Sequence, residues 1–187
     1  MTDALAALRA EHVNFGKLLD LLDGELALFR QGGSPNYELM LDIMFYMTHY
    51  PDMLHHPKEE FVFAKLARRE ARLRSAVEEL TRQHELLKES GAKLVMELED
   101  IVNGSILSRQ EVEGPGKAYV DNFRSHMDRE EGELFPVAAR LLREQDWTAI
   151  EEKIERREDP IFGRIAEKRY AAIRDQIARE ASLPGGR

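Results

Sequence analysis

The chain has 187 residues, long enough for one domain with a substantial core and short for two. Its 43% hydrophobic and 33% charged residues are those of a folded globular protein. The formal charge of −8 gives no basic face for nucleic acid or an anionic membrane. There is no cysteine, which excludes disulfides, thiolate metal sites and cysteine nucleophiles, so any metal must be held by nitrogen and oxygen.

The first element is a helix. Leu5, Leu8, Phe15, Leu19, Leu22, Leu26 and Phe29 recur in steps of three and four, with one empty slot at position 12. The opening Met1-Thr2-Asp3-Ala4-Leu5 leads straight into this pattern, with no basic and then apolar stretch of a signal peptide. No run approaches eighteen apolar residues. These features place the chain in the cytoplasm, with no membrane partner. Gln31-Gly32-Gly33 ends the helix, with Ser34 as the expected cap and Pro35 as the first residue of the next.

The second helix carries Met40, Ile43, Met44, Met47, Val62 and Leu66, with a kink or break expected at Pro51 and Pro57. The third runs through Val77, Leu80, Leu87, Leu94, Leu98 and Ile101 to Asn103-Gly104, with a gap at position 84. Glu113-Gly114-Pro115-Gly116 reads as a turn or break before a fourth helix with Tyr119, Phe123, Met127, Leu134, Val137 and Leu141. A charged segment after Trp147 leads through Asp159-Pro160 to a final helix ending near Ala181, and Leu183-Pro184-Gly185-Gly186 reads as a frayed tail. The expected fold is all-α: an up-down-up-down four-helix bundle over residues 1–143 and a C-terminal helical extension over 144–187. The apolar Ile150, Ile154, Ile161, Phe162, Ile165, Tyr170, Ile173 and Ile177 of that extension must be buried, on the bundle or in a homodimer.

The missing slots hold the chemistry. His12, His84 and His126 each occupy a position on an apolar stripe, and His55 lies on the stripe continued by Val62 and Leu66. Glu59 and Glu130 follow His55 and His126 by four residues, one turn along the same face. A buried carboxylate without a partner costs several kcal/mol. Four core stripes interrupted together point to a shared compensating charge. In an antiparallel bundle the residues that face each other lie equally far from the shared turn. Counted from the turns, His12, His55/Glu59 and His84 agree to within about 3 Å at about 1.5 Å per residue. His126 joins them when the fourth helix, or its connection, begins near Ser108. His56 and Glu60 have the same spacing as His55 and Glu59. Superposing the two His-x-x-x-Glu-Glu blocks favours His55/Glu59 and leaves His56 and Glu60 solvated or outside the metal ligands. Without metal, Glu59 and Glu130 are expected to favour protonation, so that their contribution to stability falls as pH rises through about 4.3.

Glu11-His12, the block from Tyr50 to Glu60, His84-Glu85, and His126-Met127-Asp128-Arg129-Glu130-Glu131 with Leu134-Phe135-Pro136 resemble the hemerythrin family, in its bacterial HHE cation-binding branch. The resemblance spans about residues 5–143, and Asp159-Pro160-Ile161-Phe162-Gly163 resembles an extension found in some members. It implies two iron ions, oxo- or hydroxo-bridged, with His12, His55, Glu59, His84, His126 and Glu130 as ligands, although other divalent metals suit such donors. It implies a protein that senses or handles dioxygen, nitric oxide, peroxide or iron, with a small diatomic or peroxide ligand at the metals. A di-iron enzyme of the peroxide-reducing or oxidase type is the alternative, and a metal-free interaction bundle is a third reading. Two departures from oxygen-carrying members argue against simple oxygen storage. The third helix offers a single histidine, with Leu80 and Lys88 one turn either side, and the final carboxylate is Glu130 at four residues rather than an aspartate at five. These ligands with a bridging oxygen supply about ten of about twelve bonds for two six-coordinate ions. His49, Tyr46 or Tyr119 could fill an open position.

Overall fold

The computed structural model describes residues 3–154, 157–164 and 167–182, and all of its regular elements are helical. Met1, Thr2, Ile165 and the tail Leu183 to Gly186 lie outside the described residues. Among the described residues, no helix is long and apolar enough to cross a membrane.

Four antiparallel rods form the bundle. Helix α1 spans Asp3–Arg30. The second rod is α2, Tyr37–Tyr50, continued by a π-helical turn, Pro51–His55, and α3, His56–Arg69. A 3-10 turn, Ala71–Leu73, leads into α4, Arg74–Val102. The fourth rod is α5, Arg109–Arg129, a second π turn, Glu130–Leu134, and α6, Phe135–Leu141. Two shorter helices follow, α7 at Glu144–Glu151 and α8 at Ala171–Ser182.

Local chemistry sets the boundaries. After α1 and α4 the chain turns on Gly32 (φ +73°) and Gly104 (φ +96°), which take the left-handed conformation that side chains resist. At both ends the glycine and its successor donate back to the closing carbonyls: Gly32 to Phe29 and Gly33 to Leu28, Gly104 to Ile101 and Ser105 to Asp100. The second rod begins later than its Ser34-Pro35 pair suggests. Asn36 is the cap, its side chain accepting the Leu39 N–H at 3.1 Å while its own N–H is held by Glu25 at 2.7 Å. The fourth rod begins earlier. Ser108 and Glu111 form a reciprocal capping box, and the helix runs through Glu113-Gly114-Pro115-Gly116 instead of breaking there. Gly116 lets α5 approach α1, since a Cβ there would stand 2.7 Å from the Leu26 side chain.

The bundle core is divided in two. The larger cluster includes Phe15, Leu19, Leu22, Met40, Met44, Leu87, Leu94, Val120 and Phe123; the smaller includes Leu5, Leu8, Val62, Phe63, Leu66, Leu80, Leu134 and Phe135. The C-terminal extension completes both. Trp147 and Ile150 of α7 enter the smaller cluster, while Ile161, Tyr170 and Ile173 enter the larger, so these residues are buried on the chain's own bundle. Asp146 ties α7 down by pairing with Arg69 and accepting the Arg143 N–H.

Gly91 and Gly24 are expected to respond oppositely to alanine. A Cβ at Gly91 would lie 2.7 Å from Thr48 and 3.0 Å from the stiff Tyr119 ring, where α4 meets α2 and α5. Overpacking costs about 1–3 kcal/mol, against at most about 1 kcal/mol gained in helix propensity. Gly24, on the exposed side of α1, has open space around it. Gly91→Ala should therefore lower the melting temperature and Gly24→Ala raise it, as thermal denaturation followed by circular dichroism will show.

Candidate metal centre

Between the two apolar clusters lies a polar belt. His12 sits between Leu8 and Phe15, His84 between Leu80 and Leu87, Glu59 between Leu54 and Val62, and Glu130 between Met127 and Leu134. Glu59 and Glu130 have no exposed surface, and His12, His55, His56, His84 and His126 are all buried.

Both π turns fall at this belt, and both are placed by proline. The first closes with the His56 N–H on the Pro51 carbonyl, immediately before Pro57; the second closes with the Phe135 N–H on Glu130, immediately before Pro136. A proline inside a helix cannot donate, and its ring crowds the carbonyl four residues back. A wider turn at that point relieves the crowding without ending the rod, and such turns are common at functional sites. The expected kink at Pro51 and Pro57 is thus a one-residue widening. Its consequence is that His55 and His56, adjacent in sequence, both face inward, whereas Glu60 is exposed.

The side chains converge in two sets. His12, His55 and Glu59 place ligand atoms within 4.8 Å of one another, as do His56, Glu59, His84 and His126. Glu59 presents Oε1 to His12 (3.3 Å) and His55 (3.0 Å), and Oε2 to His84 (3.6 Å). Glu130 does the same from the other side, with Oε2 toward His12 (3.4 Å) and Oε1 toward His126 (3.3 Å) and His84 (3.6 Å). Each carboxylate thus offers one oxygen to each set.

Despite these distances, all four carboxylate oxygens and the Nε2 atoms of His56, His84 and His126 have no hydrogen bond among the described residues. They point at shared spaces more than at one another. The His12 and His55 Nε2 atoms face each other at 3.0 Å. Four rings are oriented from behind through Nδ1: His12 by Glu131 (3.1 Å), His55 by Glu11 (2.6 Å), His56 by Asp52 (3.2 Å) and His126 by Gln83 (3.1 Å). Lys58, at 2.7 Å from Glu11, and Arg9, at 2.9 Å from Glu131, hold two of these carboxylates. A ring that donates from Nδ1 turns the Nε2 lone pair inward, the state a metal ion requires. Buried donors with inward lone pairs and no protein partner fit a bound cation.

All six residues singled out in the sequence, His12, His55, Glu59, His84, His126 and Glu130, are in the belt. His56 is a seventh, and its ring stacks on His84 at 4.0 Å, beside the single histidine of α4. Its signal in the sequence is the His-His-Pro triplet, where a proline-induced π turn puts neighbours on one face. The other candidates lie elsewhere. His49 is exposed and bonded to the Phe45 carbonyl, the Tyr46 hydroxyl donates to Asp159, and that of Tyr119 to the Met47 carbonyl.

The family model of the hemerythrin HHE cation-binding domain matches residues 3–138. The chain belongs to that family. No match is found among curated proteins or solved structures. The family's cation-binding character agrees with the buried His/Glu cluster.

Electrostatics in the metal-free belt run against the expectation that Glu59 favours protonation. Burial pushes the Glu59 carboxyl up, but His55, His12 and His84 outweigh it and hold its pKa well below the usual carboxylate range. Burial disfavours the charged His12 ring, yet Glu130 and Glu59 hold its pKa up at about 10, and the same pair raises His84 to about 9. Desolvation dominates at the other two: His126 falls to about 4, and His56, burdened also by His84, drops well below its ordinary value. Imidazolium rings therefore serve as counter-ions until a metal replaces their protons.

Two tests follow from this geometry. His56→Ala should reduce bound cation, while Glu60→Ala should leave it unchanged, as measured by elemental analysis of the purified variants. The metal-free protein should also lose stability in alkali. The raised pKa values of His12 and His84 stabilise the fold fully below about 6.5, and this is lost as pH rises through 9 to 10. Glu59, with a lowered pKa, contributes above the ordinary carboxylate range and loses that contribution only as pH falls through its depressed value. Melting temperatures of metal-free protein should decline from pH 6.5 to 10, and a rise over that interval would contradict the assignment.

Proposed function

We propose that the chain holds two iron ions and senses or handles dioxygen, nitric oxide, peroxide or iron. One observation carries this reading: two donor sets share two carboxylates, each with one oxygen directed to each set. In this arrangement His12 and His55 would hold one ion, and His56, His84 and His126 the other. Glu59 and Glu130 would span both and offset the repulsion between neighbouring cations.

Nitrogen and oxygen donors of this kind suit iron, which supplies reversible binding of, and electron exchange with, small oxidants and nitric oxide. The first set offers one histidine fewer than the second, which leaves it the more open to an added ligand. The surroundings limit what can reach it. Phe135 stacks on the His12 ring at 5.4 Å, and Phe15 lies edge-on to His55 at 4.8 Å. These apolar walls exclude water and favour ligands of a few atoms. Glu11 and Glu131, hydrogen-bonded behind His55 and His12, make those rings stronger donors.

Protein loaded with excess iron and then desalted should retain about two iron atoms per chain, with an absorption band in the near ultraviolet, and Glu59→Ala should retain fewer than one. One metal or fewer in the wild type would sink the two-ion reading. Loading manganese and zinc in parallel tests the identity of the ion.

A further inference from the structure

A string of aromatic rings leads away from the centre. Phe15 contacts His55, and the Tyr46 and Tyr50 rings each lie 6.3 Å from Phe15. Tyr46 and Tyr50 are parallel to each other at 5.2 Å, and Tyr170 meets Tyr46 edge-on at 5.9 Å. The Tyr50 hydroxyl donates to Glu11, the carboxylate that holds His55.

Tyr46 has no exposed surface, yet its hydroxyl donates to a carboxylate, Asp159 Oδ2 at 2.8 Å. The other oxygen of Asp159 accepts the N–H groups of Ile161 and Phe162, both at 2.8 Å, which fixes the carboxylate against the phenol. Phenylalanine at position 46 would fill the same volume without burying a hydroxyl. Tyr119 provides the contrast. It is equally buried, but its hydroxyl lies 3.4 Å from a neutral acceptor, the Met47 carbonyl. Oxidising a phenol requires a route for the electron and a separate base for the proton. Tyr46 has both: a ring contact to Phe15, which itself meets His55 of the centre, and a fixed carboxylate on its hydroxyl.

We propose that Tyr46 is a one-electron donor to the metal centre, with Asp159 as its proton acceptor. This rests on the two-iron reading. When dioxygen, or peroxide in excess of one equivalent, leaves the centre with an oxidising equivalent beyond two ferric ions, one electron would pass from Tyr46 through the Phe15 or Tyr50 ring and remove that equivalent. The Tyr46 O–H bond breaks and its proton forms an O–H bond on Asp159, leaving a neutral phenoxyl radical and a protonated carboxyl. One electron from a small reductant in solution, with the proton returned from Asp159, restores the phenol. Tyr170, in contact with Tyr46, extends the route toward the C-terminal helix.

The test uses the full chain loaded with iron under anaerobic conditions, mixed with excess hydrogen peroxide and rapidly frozen for electron paramagnetic resonance, with iron measured in every sample. The wild type should give a tyrosyl radical whose signal narrows when ring-deuterated tyrosine is incorporated. Tyr46→Phe should lose it and Tyr119→Phe keep it, both at full iron content. Asp159→Asn, which retains an acceptor oxygen but not the base, should also lose it, and covers the case of a Tyr46 variant that fails to fold. No tyrosyl radical in iron-loaded wild type, or an undiminished one in Tyr46→Phe, would overturn the proposal. A wild type that binds fewer than two irons fails earlier, on the two-iron reading, and takes this proposal with it.

Discussion

Two carboxylates in the middle of an apolar bundle set the terms for the rest of this structure. An ionised carboxylate taken out of water is tolerated only with compensating charge and hydrogen bonds. Glu59 and Glu130 are fully buried and accept no hydrogen bond among the described residues, so their compensation comes from the imidazoles gathered around them. That need explains why histidines from all four rods meet at one level, and why the hydrophobic core is two clusters with a polar belt between them.

The belt is held from outside as much as from within. Glu11, Asp52, Gln83 and Glu131 each fix one imidazole through Nδ1, and Lys58 and Arg9 hold two of those carboxylates in turn. The result is a set of imidazole Nε2 atoms aimed inward, as N–H groups where the ring is protonated and as lone pairs where it is neutral. In a metal-free chain the same groups would supply the compensating charge. Protonated rings at His12 and His84 stand in for the missing cations, while His56 and His126 are kept neutral by desolvation. Cation binding would then exchange protons for metal at these rings.

The C-terminal extension belongs to the same physical problem. Four rods alone leave parts of both core clusters uncovered, and α7 and the segment around Tyr170 cover them with Trp147, Ile150, Ile161 and Ile173. Asp159 anchors this cover twice over, through the backbone of Ile161 and Phe162 and through the hydroxyl of Tyr46. The cover is thereby joined to the aromatic string that ends at His55.

The all-helical fold, the four rods and six residues of the belt were legible in the sequence, because a period near 3.6 residues shows an interrupted stripe directly. His12 and His84 are visible as gaps between leucines and phenylalanines. Equal distances from the turns then brought four helices to one level and placed the start of the fourth rod near Ser108. What periodicity could not show is where it changes. The π turns before Pro57 and Pro136 each add one residue to a turn, and a reading at constant period put His56 outside a centre that the wider turn brings it into. The charge state of Glu59 was equally beyond it: a stripe reports burial, which raises a carboxyl pKa, but not the imidazoles of His12 and His84 on other rods, which together with His55 on its own rod outweigh that rise. The partners of Tyr46 depended on a segment more than a hundred residues away. Sequence determines what one helix does along its own axis; contacts between rods, and the protons they share, exist only once the rods are packed.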